Sequence, residues 1–226
     1  MSVEIVWVAH STVEVRTSKG LAFVIDPWYA KSPVTQAKPP EDAQFALVTH
    51  DHWDHVQDVP AVAQSGAKIV TQPETMARLV RDEGLDAGGF LTLNLGGGAA
   101  LATDLHVTMI PALHSSRSGV AAGYIVQVDG FTFAHLGDTA LFSDLGLYGG
   151  MYDIDLAMVP IGDHFTMGPR AAARAVTYLG ARLALPLHYG TFPALVPTAD
   201  PFVDALQQEG KGVEAWVPEI GGRRTF

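Results

Sequence analysis

The sequence predicts an α/β protein of one domain, in which two β-sheets stack face to face with helices on their outer sides. Three observations predict it. At 226 residues, 48% hydrophobic and 17% charged, the chain can bury one substantial core and needs no second domain, so residues 1–226 form the expected unit. Short β-rich runs followed by helical segments occur twice, an order that suits stacked sheets with helices outside. Gly96-Gly97-Gly98 falls between the two rounds as a Gly-rich connection.

The first round opens with Val3–Ala9, Val13–Thr17 and Leu21–Asp26, short runs rich in β-formers, with Ser18-Lys19-Gly20 as a hairpin turn. Phe45–Thr49 is a further strand and runs straight into a cluster of histidines. Asp58 is placed to cap a helix carrying Pro60 in its first turn, Ala67–Thr71 is strand-like, and Pro73 opens a helix through about Asp82 that Gly84 can end. The second round has strands at His106–Ile110, Ala122–Val128, Phe131–His135 and Leu156–Ile161. Pro169 to Leu179 is the clearest helix, with proline at its start and Gly180 just past its end. A strand at Leu183–Leu187, a helix near Pro201–Gln208 and a strand at Val213–Val217 complete the chain. No internal repeat is evident.

Composition removes several functions. A net charge of −10 makes nucleic acid and anionic membranes poor partners, so a small-molecule substrate is expected, with homo-oligomerisation left open. With no cysteine, any metal must be held by nitrogen and oxygen ligands. The first residues, Met-Ser-Val-Glu-Ile, lack the basic start and apolar run of a signal peptide, and no apolar stretch approaches the ~20 residues that span a bilayer, so the cytoplasm is the expected compartment.

The chemistry concentrates in His50-Asp51-His52-Trp53-Asp54-His55. Imidazole and carboxylate are preferred ligands of zinc, manganese and iron, and so dense a run is hard to explain as packing. Residues two apart in an extended segment point the same way, so His50 and His52 can share one ion, with Asp54 and His55 serving a second. His114, Asp138 and His188 each follow a predicted strand, and strand ends on one edge of a sheet can meet in space.

These residues resemble the metallo-β-lactamase superfamily, whose HxHxDH motif is matched by His50–His55. The closest likeness is to the compact metal-dependent hydrolases labelled UPF0173, which are also similar to the lactonase branch. It rests on Ala9-His10-Ser11, Ile25-Asp26-Pro27, Gly137-Asp138-Thr139, Pro160-Ile161-Gly162, Phe165–Pro169 and His188-Tyr189-Gly190-Thr191-Phe192-Pro193, and so covers nearly the whole chain. The resemblance implies a four-layer αββα sandwich with a site at one edge of the sheets. It implies His50, His52 and His114 on a first metal, Asp54, His55 and His188 on a second, and Asp138 bridging both. The implied cofactors are two divalent ions, zinc first, with manganese, iron and nickel as alternatives.

The other candidates follow from their neighbours. His10 is expected either to support a ligand from behind or to face substrate, and Asp26 to orient a ligand imidazole. His164, just before a helix start, is a candidate catalytic donor alongside Asp54. His135 reads as a packed core residue and His106 as structural or exposed. Trp53 fills a position that is often small in relatives, where it would narrow access or pack under the loop. Trp28 and Tyr29, in the long connection Pro27–Ala43, either border the pocket or complete the core edge, and Thr191–Pro197 is expected to border it. Together these predict a hydrolase that generates metal-bound hydroxide at a dinuclear site and attacks an ester, lactone or phosphodiester. The alternatives are a nucleic-acid-processing phosphodiesterase of the same superfamily and a non-catalytic metal-binding module.

Overall fold

Along the first strand, β1 (Val3–Ala9), Val3, Ile5 and Trp7 point to one side, Val6 and Val8 to the other, and both sides are buried. A strand covered on both faces lies in an inner layer, with a sheet on one side and helices on the other. The computed structural model describes residues 2–209 and 212–226. After β1 come β2 (Thr12–Thr17), β3 (Ala22–Ile25), β4 (Phe45–Leu47), α1 (Trp53–Val56), α2 (Val59–Gln64), β5 (Lys68–Thr71), α3 (Pro73–Glu83) and β6 (Phe90–Thr92). The second half holds β7 (Gly98–Ala102), β8 (Leu105–Pro111), β9 (Ala122–Val128), β10 (Phe131–His135), α4 (Leu145–Met151), β11 (Leu156–Pro160), α5 (Pro169–Leu179), β12 (Leu183–Leu187) and α6 (Asp200–Glu209). Two short strands, β13 (Glu214–Ala215) and β14 (Arg223–Thr225), end it.

Two seven-stranded sheets result, ordered β14-β1-β2-β3-β4-β5-β6 and β13-β12-β11-β10-β9-β8-β7. Ile5, Val15, Phe23 and Leu47 of the first sheet meet Val107, Tyr124, Met158 and Leu185 of the second in the central core. The outer face of the first sheet packs on Val59, Val62 and Leu79 of α2 and α3. That of the second packs on Leu145, Val176 and Phe202 of α4, α5 and α6. The fold is the expected αββα sandwich. Among the described residues no helix is long and apolar enough to cross a membrane.

Strand directions decide where the site lies. β1, β3 and β4 run the same way in the first sheet, and β8, β10, β11 and β12 do so in the second. Their C-terminal ends carry His10, Asp26, His50, His114, Asp138 and His188 to one edge of the sandwich. Hydrogen bonds tie the sheets there: His188 N–H donates to His10 O at 3.0 Å and Ala122 N–H to Thr49 O at 3.0 Å, while Tyr124 O–H donates to Val48 O at 2.9 Å and His135 Nε2 to Ser11 O at 2.9 Å.

Several expectations change. Asp58 stands at the N-cap of α2 but makes no side-chain cap; its carboxylate accepts instead from Tyr29 N and Ala30 N at 2.6 and 3.1 Å, fixing the chain after β3. Gly98, read as part of a connection, begins β7. The strand expected at Val213–Val217 shortens to Glu214–Ala215, and a further strand, β14, follows it unexpected. α4 was not expected, because three of its seven residues are glycine, a poor helix former. Gly149 is needed there: a Cβ would lie 2.3 Å from Tyr178 O, where α4 crosses the end of α5.

Candidate metal centre

Each strand end reaches the edge through an abrupt turn. His10, Asp26 and His188 are non-glycine residues with φ of 54°, 48° and 59°, in the left-handed region that costs a residue with a Cβ. Gly137, after β10, has φ 60°, and a Cβ on it would meet Ala122 O at 2.5 Å, so glycine is required twice over. Past β4 the chain stays extended through His52 (φ −66°, ψ 150°) and enters the short helix α1 at Trp53. That change of direction separates His50 and His52 from Asp54 and His55.

The side chains converge as two groups. His50, His52 and His114 form one set in which a ligand nitrogen from each lies within 4.8 Å of the others, and His10, Asp54, His55 and His188 form another. Asp138 lies between them: its Oδ2 is 3.0 Å from His188 Nε2, 3.4 Å from His55 Nε2, 3.6 Å from His114 Nε2 and 4.0 Å from His50 Nε2. All seven sequence-predicted ligand positions are thus brought together.

Neighbours fix which nitrogen faces inward. Asp26, fully buried, accepts from Thr49 N at 2.8 Å, from Thr49 Oγ1 at 2.7 Å and from His55 Nδ1 at 2.8 Å. Because the Thr49 hydroxyl donates to Asp26, it can only accept from His50 Nδ1, 3.0 Å away. One carboxylate therefore keeps the proton on Nδ1 of both His50 and His55 and turns both Nε2 lone pairs inward. His50 Nε2 then faces His52 Nδ1 at 3.0 Å, with His114 Nε2 at 3.3 Å from the same nitrogen. His10 sits behind Asp54, donating from Nε2 to its Oδ2 at 3.2 Å, with Nδ1 at 3.0 Å from Thr191 Oγ1. Of its two expected positions it takes the supporting one.

The surroundings shift these groups in opposite directions. Burial pushes His10 down to about 3, helped by His188, and pushes His50 well below its usual value, helped by His55. Burial also lowers His114. For His55 burial acts downward too, but Asp138 and Asp26 outweigh it and raise the imidazole well above its ordinary range. Burial opposes ionisation of Asp138 and Asp54; His188 and His55 nevertheless hold Asp138 well below the usual carboxylate range, and the His10 N–H does the same for Asp54.

The donor set fits divalent cations. His55 Nε2 and Asp138 Oδ1 are buried without a hydrogen-bond partner among the described residues, a costly state for polar atoms. A cation beside these atoms would give the unpartnered His55 Nε2 and Asp138 Oδ1 the partner they lack. The sites carry imidazole and carboxylate only, a set suited to zinc, manganese, iron and nickel.

A cavity of about 660 Å³ opens onto the cluster, with His52, Asp54, His114, Asp138 and His188 at its inner end. Phe192, Pro193 and Ala194 line it, as expected of the segment after His188, and Trp53 and Phe165 stand at its mouth. Trp28 and Tyr29 do not line it. Both are buried; Trp28 stands edge-on beneath Trp53 at 5.2 Å and donates to Gln57, and Tyr29 donates to Glu14. They complete the core edge. His164 is exposed and outside the lining, its ring edge-on to Phe165 at 4.6 Å, a position that does not support the donor role expected of it. His135 is buried and His106 exposed.

Sequence reasoning missed Asp51, which points away from the cluster. Its carboxylate accepts from Ser116 Oγ, Arg117 N and Ser118 N at 2.7, 2.6 and 3.1 Å and pairs with buried Arg78 of α3 at 2.6 Å, pinning the loop that bears His114. Spacing gave no sign of this, since the partners lie 27 to 67 residues away.

Comparison with known proteins places this geometry. A family model described as a beta-lactamase superfamily domain matches residues 22–189. A UPF0173 metal-dependent hydrolase of Nitratidesulfovibrio vulgaris is 44% identical over 215 residues, 91% of this chain and 88% of the relative. One from Pyrobaculum arsenaticum is 40% identical over 197 residues, 85% and 86% of the two chains. Among solved structures, Igni18, a metallo hydrolase from the archaeon Ignicoccus hospitalis, superposes with a TM-score of 0.89 at 31% identity over 100% of this chain and 99% of its own.

Proposed function

Because the chain belongs to the metallo-β-lactamase superfamily, among its UPF0173 metal-dependent hydrolases, we propose that it hydrolyses a small-molecule ester, lactone or phosphodiester at a centre of two divalent ions. One observation carries the reading: a single carboxylate oxygen of Asp138 lies within 4.0 Å of imidazole nitrogens from both ligand groups. In this proposal His50, His52 and His114 hold one ion, Asp54, His55 and His188 the other, and Asp138 both. When bound, such ions lower the pKa of water and polarise the oxygen under attack.

The chain's own residues do the rest. Asp26 and Thr49 hold His50 and His55 in the tautomer that presents Nε2. Asp54, kept ionised by the His10 N–H, lines the cavity and accepts a hydrogen bond from the attacking water. Its depressed pKa suits it to orienting that water rather than keeping the proton. Water oxygen bonds to the acyl carbon or phosphorus, the bond to the leaving oxygen breaks, and one proton from the water ends on the leaving alcohol.

The net charge of −10 disfavours nucleic acid as substrate, and convergence of all seven positions disfavours an idle module. The test is metal analysis of the protein as isolated, followed by lactones, esters and phosphodiesters with that metal. Asp138→Ala and His52→Ala are each expected to bring turnover to the background rate; unchanged turnover in either sinks the proposal.

A further inference from the structure

The cavity is two-faced in a way the hydrolytic reading does not require. Its inner end is the histidine–aspartate cluster. Its walls and mouth are Trp53, Phe165, Phe192, Pro193 and Ala194, with Ser115 as the one hydroxyl among the described lining residues. Trp53 and Phe165 are 52% and 56% exposed, and with Phe192, Pro193 and Ala194 they make a contiguous apolar surface around one cavity, the arrangement that marks a binding groove.

Two of these rings are braced. Trp53 stands edge-on to buried Trp28 at 5.2 Å, Phe192 tilts against Trp28 at 5.8 Å, and Trp53 and Phe192 are 5.9 Å apart. Trp28 is itself anchored by its N–H to Gln57 at 3.2 Å. The apolar wall is therefore set before anything binds, which lowers the ordering cost of binding. No lysine or arginine lines the cavity among the described residues. Phosphate anions are ordinarily gripped by Arg forks or Lys, so no cationic side chain among the described lining residues offers a phosphodiester's charge a partner.

Resting on the hydrolase reading above, we infer that the substrate is an uncharged carboxylic ester or lactone carrying an apolar acyl chain or ring, which packs on Trp53, Phe165 and Phe192 while its carbonyl faces the cluster. At about 660 Å³ the cavity accommodates such a molecule, of drug-like size. The bond cleaved is the acyl C–O bond, and the products are a carboxylate with its released proton and an alcohol.

The experiment uses the metal-loaded full chain with p-nitrophenyl acetate, butanoate and hexanoate beside the anionic bis(p-nitrophenyl) phosphate. The expectation is a kcat/KM that rises roughly tenfold or more from acetate to hexanoate, as the burial of added methylenes implies, with the phosphodiester below hexanoate. Trp53→Ala and Phe165→Ala, both at exposed positions and checked for folding by circular dichroism, should bring the hexanoate-to-acetate ratio towards one. A second readout is independent of turnover. Calorimetric titration with 4-phenylbutan-2-one, a neutral ketone that cannot be hydrolysed, should show binding to the parent protein and roughly fivefold weaker binding to Trp53→Ala, a loss typical of a contact shed from an apolar pocket. A flat chain-length series, a preferred phosphodiester, or equal ketone affinity in parent and variant would overturn the inference. If none of the four compounds is hydrolysed, the proposed function fails, while the ketone titration still decides the apolar site.

Discussion

Asp26 holds the centre together without reaching the cavity. It takes three hydrogen bonds, two from Thr49 and one from His55 Nδ1, and so sets the tautomer of two imidazoles at once. An asparagine there would present one acceptor and one donor group to three donors, leaving at least one facing the amide nitrogen. Asp26→Asn is expected to weaken metal affinity about 10–100-fold, measured by competition with a chelator. Unchanged affinity would show that ring orientation is set by packing instead. The residue's importance was partly legible in sequence, since it ends a strand beside the cluster. That it also acts on His50, through the Thr49 hydroxyl, was not.

Among the elements, the loop from His114 to Ser118 shows how a ligand can depend on a residue that binds no metal. Asp51 gathers the Ser116 and Ser118 hydroxyls and the Arg117 and Ser118 amides, and it pairs with Arg78, 6% exposed, on α3. Burial opposes ionisation of Asp51, but the bonds from Ser118 and Ser116 prevail and hold its carboxyl below the ordinary carboxylate value. A carboxylate depressed in the fold is protonated more readily in the unfolded chain. Its stabilising effect is therefore complete above pH 3.8 and is lost as pH falls below that value through the folded pKa. Between pH 6 and pH 3 the urea midpoint should fall further for the parent than for Asp51→Asn, although the variant is the less stable at pH 6, where Arg78 keeps only Asp82 at 3.8 Å. Parallel midpoints would mean that Asp51 carries no linked proton. The sequence assigns Asp51 no role within the cluster; only its neighbours in space reveal the clamp.

For the molecule as a whole, the site is where the two sheets are stitched together. His10 and His188 come from different sheets, share a backbone hydrogen bond and pack with tilted rings, centroids 3.8 Å apart. Ions held by residues of both sheets would bind the folded chain and not the unfolded one, so their removal should lower stability by mass action. At a thousandfold excess of ion over Kd the loss is about 4 kcal/mol, a fall in Tm on the order of 10 °C for a chain of this size. Scanning calorimetry with and without a chelator measures it. An unchanged Tm would argue against tightly held ions at this edge.

The sequence by itself determined the kinds of group available and their local placement. Short runs rich in β-formers set the strands, proline and glycine set the ends of α3 and α5, and the dense run His50–His55 placed His50, His52, Asp54 and His55 just past a strand. These are local properties, carried by spacing along the chain. The tertiary structure alone decided which distant groups meet. His10 touches Thr191 across 181 positions of sequence, and Asp51 and Asp58 give their carboxylates to partners that no spacing rule indicates. It also decided that Trp28 is covered while Trp53 stands open. Burial is a property of the whole packing, and two aromatic residues that follow neighbouring strands, Trp28 after β3 and Trp53 after β4, look alike until the fold closes over one of them.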